Sequence, residues 1–207
     1  ASTSRNSIAI KTNDINIINT NKFIDAKDNS DINISANTGY ITGTINAYYG
    51  TNVTINNDTN NNLTYSHSTD SSGSVFFVAS FSPTSKVDGN LASNITINAD
   101  NIYVKSSYSG TNDTSIIFAQ SNTQNKETQT TGSKLNIHAN NIKLEAEKNI
   151  IDAFSNSTVN ISGNITAKAG DKILETRGNS IVNINSNLSD NLKTILKGDI
   201  AFKTPDD

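Results

Sequence analysis

The chain has 207 residues but no cysteine, methionine or tryptophan, and only two prolines. Without cysteine it has no disulfide, no thiol nucleophile and no thiolate metal site. Only two of its 16 basic residues are arginines, Arg5 and Arg177, and the formal net charge is −3, which argues against a nucleic-acid partner. No apolar run approaches the roughly 18 residues of a membrane span, so we expect no membrane insertion by this segment.

Polar and β-branched residues are what the chain has in abundance. Asparagine, serine and threonine together account for 84 residues, and isoleucine alone for 27. Such polarity is often a sign of disorder, but here the isoleucines recur as Ile-x-Ile triplets, the period-2 pattern of a half-buried strand. Helix-favouring composition occurs only over 142–148. The sequence therefore predicts a folded, all-β protein.

The triplets form an internal repeat in which four of the six successive offsets lie between 21 and 24 residues. The first strand of each unit is predicted at Ile8-Ala9-Ile10, Ile32-Asn33-Ile34, Val53-Thr54-Ile55, Ile95-Thr96-Ile97, Leu135-Asn136-Ile137, Val159-Asn160-Ile161 and Val182-Asn183-Ile184. A second strand follows an Asn-rich turn, at 101–105, 141–145 and 164–168, with a weaker copy at 61–65. A third strand, usually ending in Ala, is predicted at 24–26, 45–47, 77–79, 117–119, 151–153 and 174–176.

Three short strands in a unit of this length predict a parallel β-helix, a solenoid whose coils stack at about 4.8 Å. Sandwiches and jelly rolls also have many short strands, but they do not repeat one strand order at a fixed period. We predict a single domain over residues 1–207 with coils at about 7–29, 30–51, 52–92, 93–132, 133–156, 157–179 and 180–207. The two longer coils are predicted to carry loop insertions at 66–73, 82–92, 106–113 and 121–132.

Coils such as 159–167, with the sequence VNISGNITA, resemble those of bacterial autotransporter (type V secretion) passenger domains, especially adhesins and self-associating aggregation factors. The resemblance covers about residues 7–200. It implies a right-handed β-helix on the bacterial cell surface or outside the cell, and an excerpt of a longer passenger. The implied function is non-enzymatic, namely cell aggregation, biofilm formation or adhesion to a host.

The middle residue of each triplet should point outward, and with Ala9 at one end these residues form a polar ladder along one side of the repeat. Its members are Asn33, Thr54, Thr96, Asn136, Asn160 and Asn183. A row of amides and hydroxyls at a spacing of about 5 Å can pair with the same row on a neighbouring molecule through many weak bonds. The alternative is a solvated face that keeps the sheet from pairing. The predicted partners are the protein itself on neighbouring cells, or a host or bacterial surface receptor.

The predicted loops come from two adjacent coils and should cluster, and loops on a rigid scaffold commonly carry binding. Tolerated insertion into a repeat is the alternative. The candidate binding residues in or beside these loops are Tyr65, His67, Asp70, Tyr103, Lys105, Tyr108 and Asp113.

Two acids give the main enzymatic alternative. Asp152 and Glu175 occupy equivalent third-strand positions in adjacent coils, where register would place them near the roughly 5 Å carboxylate separation of a retaining glycosidase. A polysaccharide-acting β-helix, such as a lyase, a hydrolase or a phage tailspike, is therefore the second hypothesis. The alternative for this pair is two solvated acids beside Lys168 and Lys172. His67 and His138 lack the spacing of metal ligands, so we predict no metal site. We also predict no cofactor and no catalytic residue.

Overall fold

The computed structural model describes residues 5–18, 21–56, 61–80, 91–112, 114–121, 132–184 and 194–203, with the backbone alone at 194, 199 and 201–203. Over these ranges the protein is all-β. Its strands are β1 (Asn6–Ile17), β2 (Lys22–Ala26), β3 (Ser30–Ile41), β4 (Thr44–Tyr48), β5 (Asn52–Ile55), β6 (Asn62–Thr69), β7 (Phe76–Ala79), β8 (Asn94–Ser106), β9 (Ser115–Gln120), β10 (Lys134–Ala146), β11 (Asn149–Phe154), β12 (Thr158–Arg177), β13 (Ile181–Ile184) and β14 (Thr194–Lys203). Within the described ranges no helix has the length and apolarity needed to cross a membrane.

Every strand pairing in the described part of the chain is parallel. The triplet strands follow one another in the order β1, β3, β5, β8, β10, β12 and β13. Ile8 lies opposite Ile32, and the same register continues through all seven triplets to Ile161 opposite Ile184. The predicted alignment of the triplets is therefore confirmed.

The third strands form a second parallel series in the order β2, β4, β7, β9, β11 and β12. In the triplet and second-strand segments of β3, β5, β6, β8, β10 and β12, alternate residues point inward and stack on equivalent residues of the next unit, so the core is a set of apolar columns. Its fully buried members include Ile41, Ile45, Ile55, Leu63, Ile95, Ile97, Ile102, Ile116, Ile117 and Leu135. Each such side chain contributes roughly 1.5–3 kcal/mol by leaving water. The exact boundaries predicted for the seven coils stay a prediction.

Two predicted strands are out of register with the structure. In β7 it is Phe76, not Phe77, that lies opposite Ile45 and Ile117. Phe76 is buried against the ring of Tyr65, with 5.1 Å between the ring centroids, and Phe77 consequently points outward. Two adjacent phenylalanines match the repeat equally well, and only this packing partner distinguishes them.

The weak second strand of the third unit is displaced by three residues. Thr64, not Asn61, lies opposite Asn101, and β6 continues to Thr69. Residues 66–69, predicted as part of an inserted loop, are therefore strand. The reason is that Tyr65 and His67 occupy interior positions, opposite Ile102 and Val104, which the sequence pattern reserves for aliphatic side chains.

Asparagine provides many of the tight corners, as the composition suggests. Asn29, Asn56, Asn156 and Asn179 all have a positive φ, between 50° and 60°. Asparagine adopts this left-handed conformation at low cost because its short amide hydrogen-bonds locally. At Asn56 the side chain also accepts the N–H of Ala36 at 2.7 Å, which ties the corner to the preceding unit.

A column of buried hydroxyl residues marks the corner before four of the seven triplets, and sequence reasoning missed it. The column contains Thr51, Ser93, Ser133 and Ser157, all fully buried. The N–H of Thr51 is donated to the Ser93 hydroxyl, and the N–H of Ser93 to the Ser133 hydroxyl, both at 3.3 Å. The Ser93 and Ser133 hydroxyls thus satisfy backbone groups that would otherwise be buried without a partner.

Ile97 tests the column packing, because it is fully buried between Ile55 and Ile137. We expect Ile97→Ala to lower the free energy of unfolding by about 2–5 kcal/mol, through lost burial and the cavity left behind. Urea or guanidinium titration measures this. Ser35→Ala, at an exposed position of β3, should change stability by less than about 0.5 kcal/mol. Equal losses in the two variants would contradict the stacked core.

Candidate binding surfaces

The six residues of the polar ladder lie in one row, and the members nearer the C-terminus are hydrogen-bonded to one another. The amide nitrogen of Asn183 donates to Asn160 Oδ1 at 2.8 Å, and that of Asn160 donates to Asn136 Oδ1 at 2.7 Å. Asn136 in turn donates to the Thr96 hydroxyl at 3.4 Å. A side-chain amide has two N–H donors and two acceptor positions. These hydrogen bonds use one donor and one acceptor position of Asn160, which is half of its hydrogen-bonding capacity. The arrangement fixes the side chains in a repeating orientation.

The other predicted ladder residues occupy the same row. Asn33 lies opposite Thr54, and Thr54 lies opposite Thr96. Asn33 and Asn183 are exposed, while the residues between them are half-buried by their neighbours in the row. The structure thus brings all six predicted members together on one face.

A second polar row runs beside the ladder, two residues earlier in each strand, and sequence reasoning missed it. Asn94 donates to Asn52 Oδ1 at 2.8 Å, and Asn52 donates to Asp31 Oδ1 at 2.7 Å. Arg5 pairs with the same carboxylate at 2.7 Å. The hydrogen bond from Asn52, aided by Arg5, lowers the pKa of Asp31 below its ordinary value. The signal was available in the residues that directly precede three consecutive triplets, Asp31, Asn52 and Asn94.

Two of the predicted loop residues are buried rather than accessible. Tyr65 is fully buried and donates its hydroxyl to the Gly43 carbonyl. His67 is 3% exposed, and its Nδ1 accepts the N–H of Gly43 at 3.2 Å. The prediction that these two side chains lie accessible in or beside a loop is wrong, because β6 continues through the segment predicted as a loop and turns both side chains inward.

The remaining loop candidates are spread over different structures. Tyr103 and Lys105 are exposed but lie on β8 rather than in a loop. Asp70 is exposed and Tyr108 half-buried, in neighbouring segments that are joined where Ser107 donates its N–H to the Thr69 carbonyl at 2.9 Å. Asp113 lies outside the described residues, as do 82–90 and 122–131 of two predicted loops.

The two candidate acids lie opposite each other in register, as expected. Both are buried, Asp152 at 5% and Glu175 at 1% exposure, so the alternative of two solvated acids is wrong. Glu175 accepts Lys172 Nζ and Arg177 Nε, each at 2.7 Å. A buried carboxylate held by two cations on its own strand has the geometry of a structural ion pair.

A row of four outward aromatic rings crosses the third-strand face. Tyr48, Phe77, Phe118 and Phe154 follow one another with ring centroids 5.1, 4.9 and 5.2 Å apart. Arg177 lies over the ring of Phe154 at 4.8 Å and closes one end of the row. Such pairs add about 0.5–1.5 kcal/mol each beyond burial. The one-residue displacement of β7 hid this row, because the sequence alignment placed Phe77 inside.

His67 gives a prediction for the dependence of stability on pH. Burial lowers its pKa below the ordinary value of 6.5, and protonation of Nδ1 would oppose the Gly43 N–H. The unfolded chain therefore binds the proton more tightly than the folded chain does. The contribution of His67 to the free energy of unfolding is complete above pH 6.5 and decreases as the pH falls below that value. The urea midpoint should therefore fall between about pH 7.5 and pH 5.

The matched variants separate this histidine from the other one. His67→Leu should remove most of the pH dependence in that window, while His138→Gln should keep it. Asp31 and Glu145 do not interfere, because their pKa values are lowered from 3.8 and 4.5 and they titrate at more acidic pH. An unchanged pH dependence in His67→Leu would contradict the assignment.

The described residues contain no cluster of histidine, aspartate and glutamate that could hold a metal ion. No protein-family model matches the chain, and no match is found among the curated proteins or the solved structures.

Proposed function

We propose that the chain is a right-handed parallel β-helix of about seven coils that serves as a non-enzymatic adhesin module on a bacterial surface. The observation that carries the proposal is the register of the seven triplets, which lines up amides and hydroxyls along one outer face. Homotypic contact between cells, leading to aggregation and biofilm formation, is the proposed outcome.

The parallel pairing supports the helical winding. Parallel neighbours cannot be joined by a tight hairpin and need a connection long enough to return the chain to the same end. Here the chain between one triplet and the next runs through the second-strand and third-strand segments, each of which pairs with its own equivalent. A chain that returns to the same place after three strands winds as a solenoid.

The ladder supports adhesion through self-association. Asn136, Asn160 and Asn183 hold one another in a fixed orientation, which removes much of the entropy cost of ordering their amides at an interface. Their further donors and acceptors repeat at about the strand spacing of 4.8 Å. Two such rows can form many bonds at once, so that weak individual bonds add up to a stable contact.

The state of the acids favours this proposal over a polysaccharide-acting enzyme. A general acid or nucleophile must reach the reacting bond, whereas Glu175 is buried and binds Lys172 and Arg177. Within the described residues, the interior columns are filled mainly with aliphatic side chains and contain no further carboxylate, beyond Asp152, that could act with Glu175.

Lysines placed on the ladder should abolish self-association. We expect Thr96→Lys, Asn136→Lys and Asn160→Lys together to reduce sedimentation of the purified protein to that of a monomer, because like charges in register repel across the interface. Bacteria that display the variant should no longer clump.

The control adds the same charge to another face. Asn37→Lys, Asn62→Lys and Asn140→Lys together change exposed positions outside the ladder and should leave clumping as in the unmodified chain. Clumping that persists in the ladder variant, or is lost equally in both, would overturn the proposal.

A further inference from the structure

The second-strand series presents an outward face that is rich in lysine. Lys105, Lys143, Lys168 and Lys197 are exposed on β8, β10, β12 and β14, and we call their surroundings the basic face. Lys105 lies opposite Glu145, Glu145 opposite Lys168, and Lys168 opposite Lys197. The strand spacing therefore places successive charges about 4.8 Å apart along the stack.

The charge of this face is opposite in sign to that of the chain. The formal net charge of the whole sequence is −3, yet the four lysines share the basic face with a single acid from their own rows, Glu145. Lys143 pairs with that carboxylate at 2.9 Å. The pKa of Glu145 is lowered first by its hydrogen bond to Lys143 and further by Lys105 and Lys168. A second acid, Glu147, lines a cavity beside Lys105 and Lys168.

The arrangement of the lysines works against the stability of the isolated fold. Lys168 and Lys197 are directly opposite each other on paired parallel strands. Like charges in that position are destabilising, and polar neutral residues would fill the row at no such cost. A bound anion would relieve this repulsion.

The basic face is also concave. Three shallow cavities, of about 620, 290 and 280 Å³, lie side by side on it. The first and second share Tyr103 and Lys143, and the second and third share Lys105 and Glu145, so together they form one continuous groove. Tyr103 stands in the groove 41% exposed, with its hydroxyl donated to Asn101 Oδ1 at 3.1 Å.

We propose that this groove binds a linear acidic polysaccharide, which deepens and rests on the proposed adhesive function. Lysines spaced along the stack would meet the carboxylate or sulfate groups of the polymer. The face of Tyr103 would pack against a sugar ring, and Asn141 and Thr166 in the groove would hydrogen-bond its hydroxyls.

The same residues fit a nucleic acid less well. Its binding sites are typically rich in arginine, but Arg5 pairs with Asp31 and Arg177 with Glu175, away from this face. Glu145 in the middle of the groove would lie against a continuous phosphate backbone. A polysaccharide, whose charged groups alternate with hydroxyls, tolerates an acid between lysines.

The experiment measures binding of the whole chain to four polymers by calorimetry at low salt. They are heparin, polygalacturonate, neutral dextran and double-stranded DNA. We expect heparin or polygalacturonate to bind with an affinity that falls as salt is raised, dextran not to bind, and DNA to bind more weakly. The proposal would be overturned if DNA bound more tightly than the acidic polysaccharides, if dextran bound, or if heparin and polygalacturonate both failed to bind.

A charge-matched pair of variants locates the site. Lys105→Gln with Lys168→Gln should weaken binding roughly tenfold or more and reduce the slope of log affinity against log salt by about two, as expected when two cation contacts to a polyanion are lost. Lys11→Gln with Lys134→Gln removes the same charge from exposed positions elsewhere and should leave binding within about twofold. Equal loss in both variants would show nonspecific attraction and overturn the groove assignment.

Failure here is separable from failure of the adhesive proposal. Self-association is measured on the same preparations without polysaccharide and depends on the ladder, which lies on the triplet strands. Clumping that persists while acidic polysaccharides fail to bind would overturn the groove proposal alone.

Discussion

The constraint on which the structure depends is parallel pairing of each strand with its equivalent in the next unit. Because the backbone hydrogen bonds fix this pairing at about 4.8 Å, any residue type that recurs in the sequence becomes a column in space. Isoleucine columns form the core, buried serines satisfy corner amides, and asparagine columns line the outer face. A column is stable only if its members tolerate one another, and this selects short, uncharged or mutually bonding side chains.

The triplet alignment could be predicted because Ile-x-Ile is a strong and unambiguous pattern. Prediction failed where two neighbours fit equally well or where the interior held an unexpected side chain. Phe76 and Phe77 are equivalent in a pattern of apolar and polar residues, and only contact with Tyr65 makes Phe76 the buried one. A histidine in the interior looks polar in sequence, yet the Gly43 N–H provides the partner that makes its burial tolerable.

The candidate surfaces likewise include one that the sequence predicted and others that it did not. The ladder followed from periodicity alone, since the outward middle residue of a triplet is fixed once the inward pair is known. The basic face was not recognised. The predicted second strands already align Lys105 with Glu145 and Lys168, but β14, which brings Lys197 into the same row, was not predicted. The ion pair of Glu175 with Arg177 also depends on rotamers and on burial, which spacing does not encode.

The direction of the ladder has a mechanical consequence. Its hydrogen bonds run along the stack, across the strands, from Asn183 to Asn136. A partner held along this whole row and pulled along the stack would load every contact simultaneously in shear, so the force on each bond is the total divided by their number. A partner held at one end would instead be peeled away one contact at a time. An attachment made from weak bonds withstands flow best in the first geometry, which is the one that a row parallel to the stack provides.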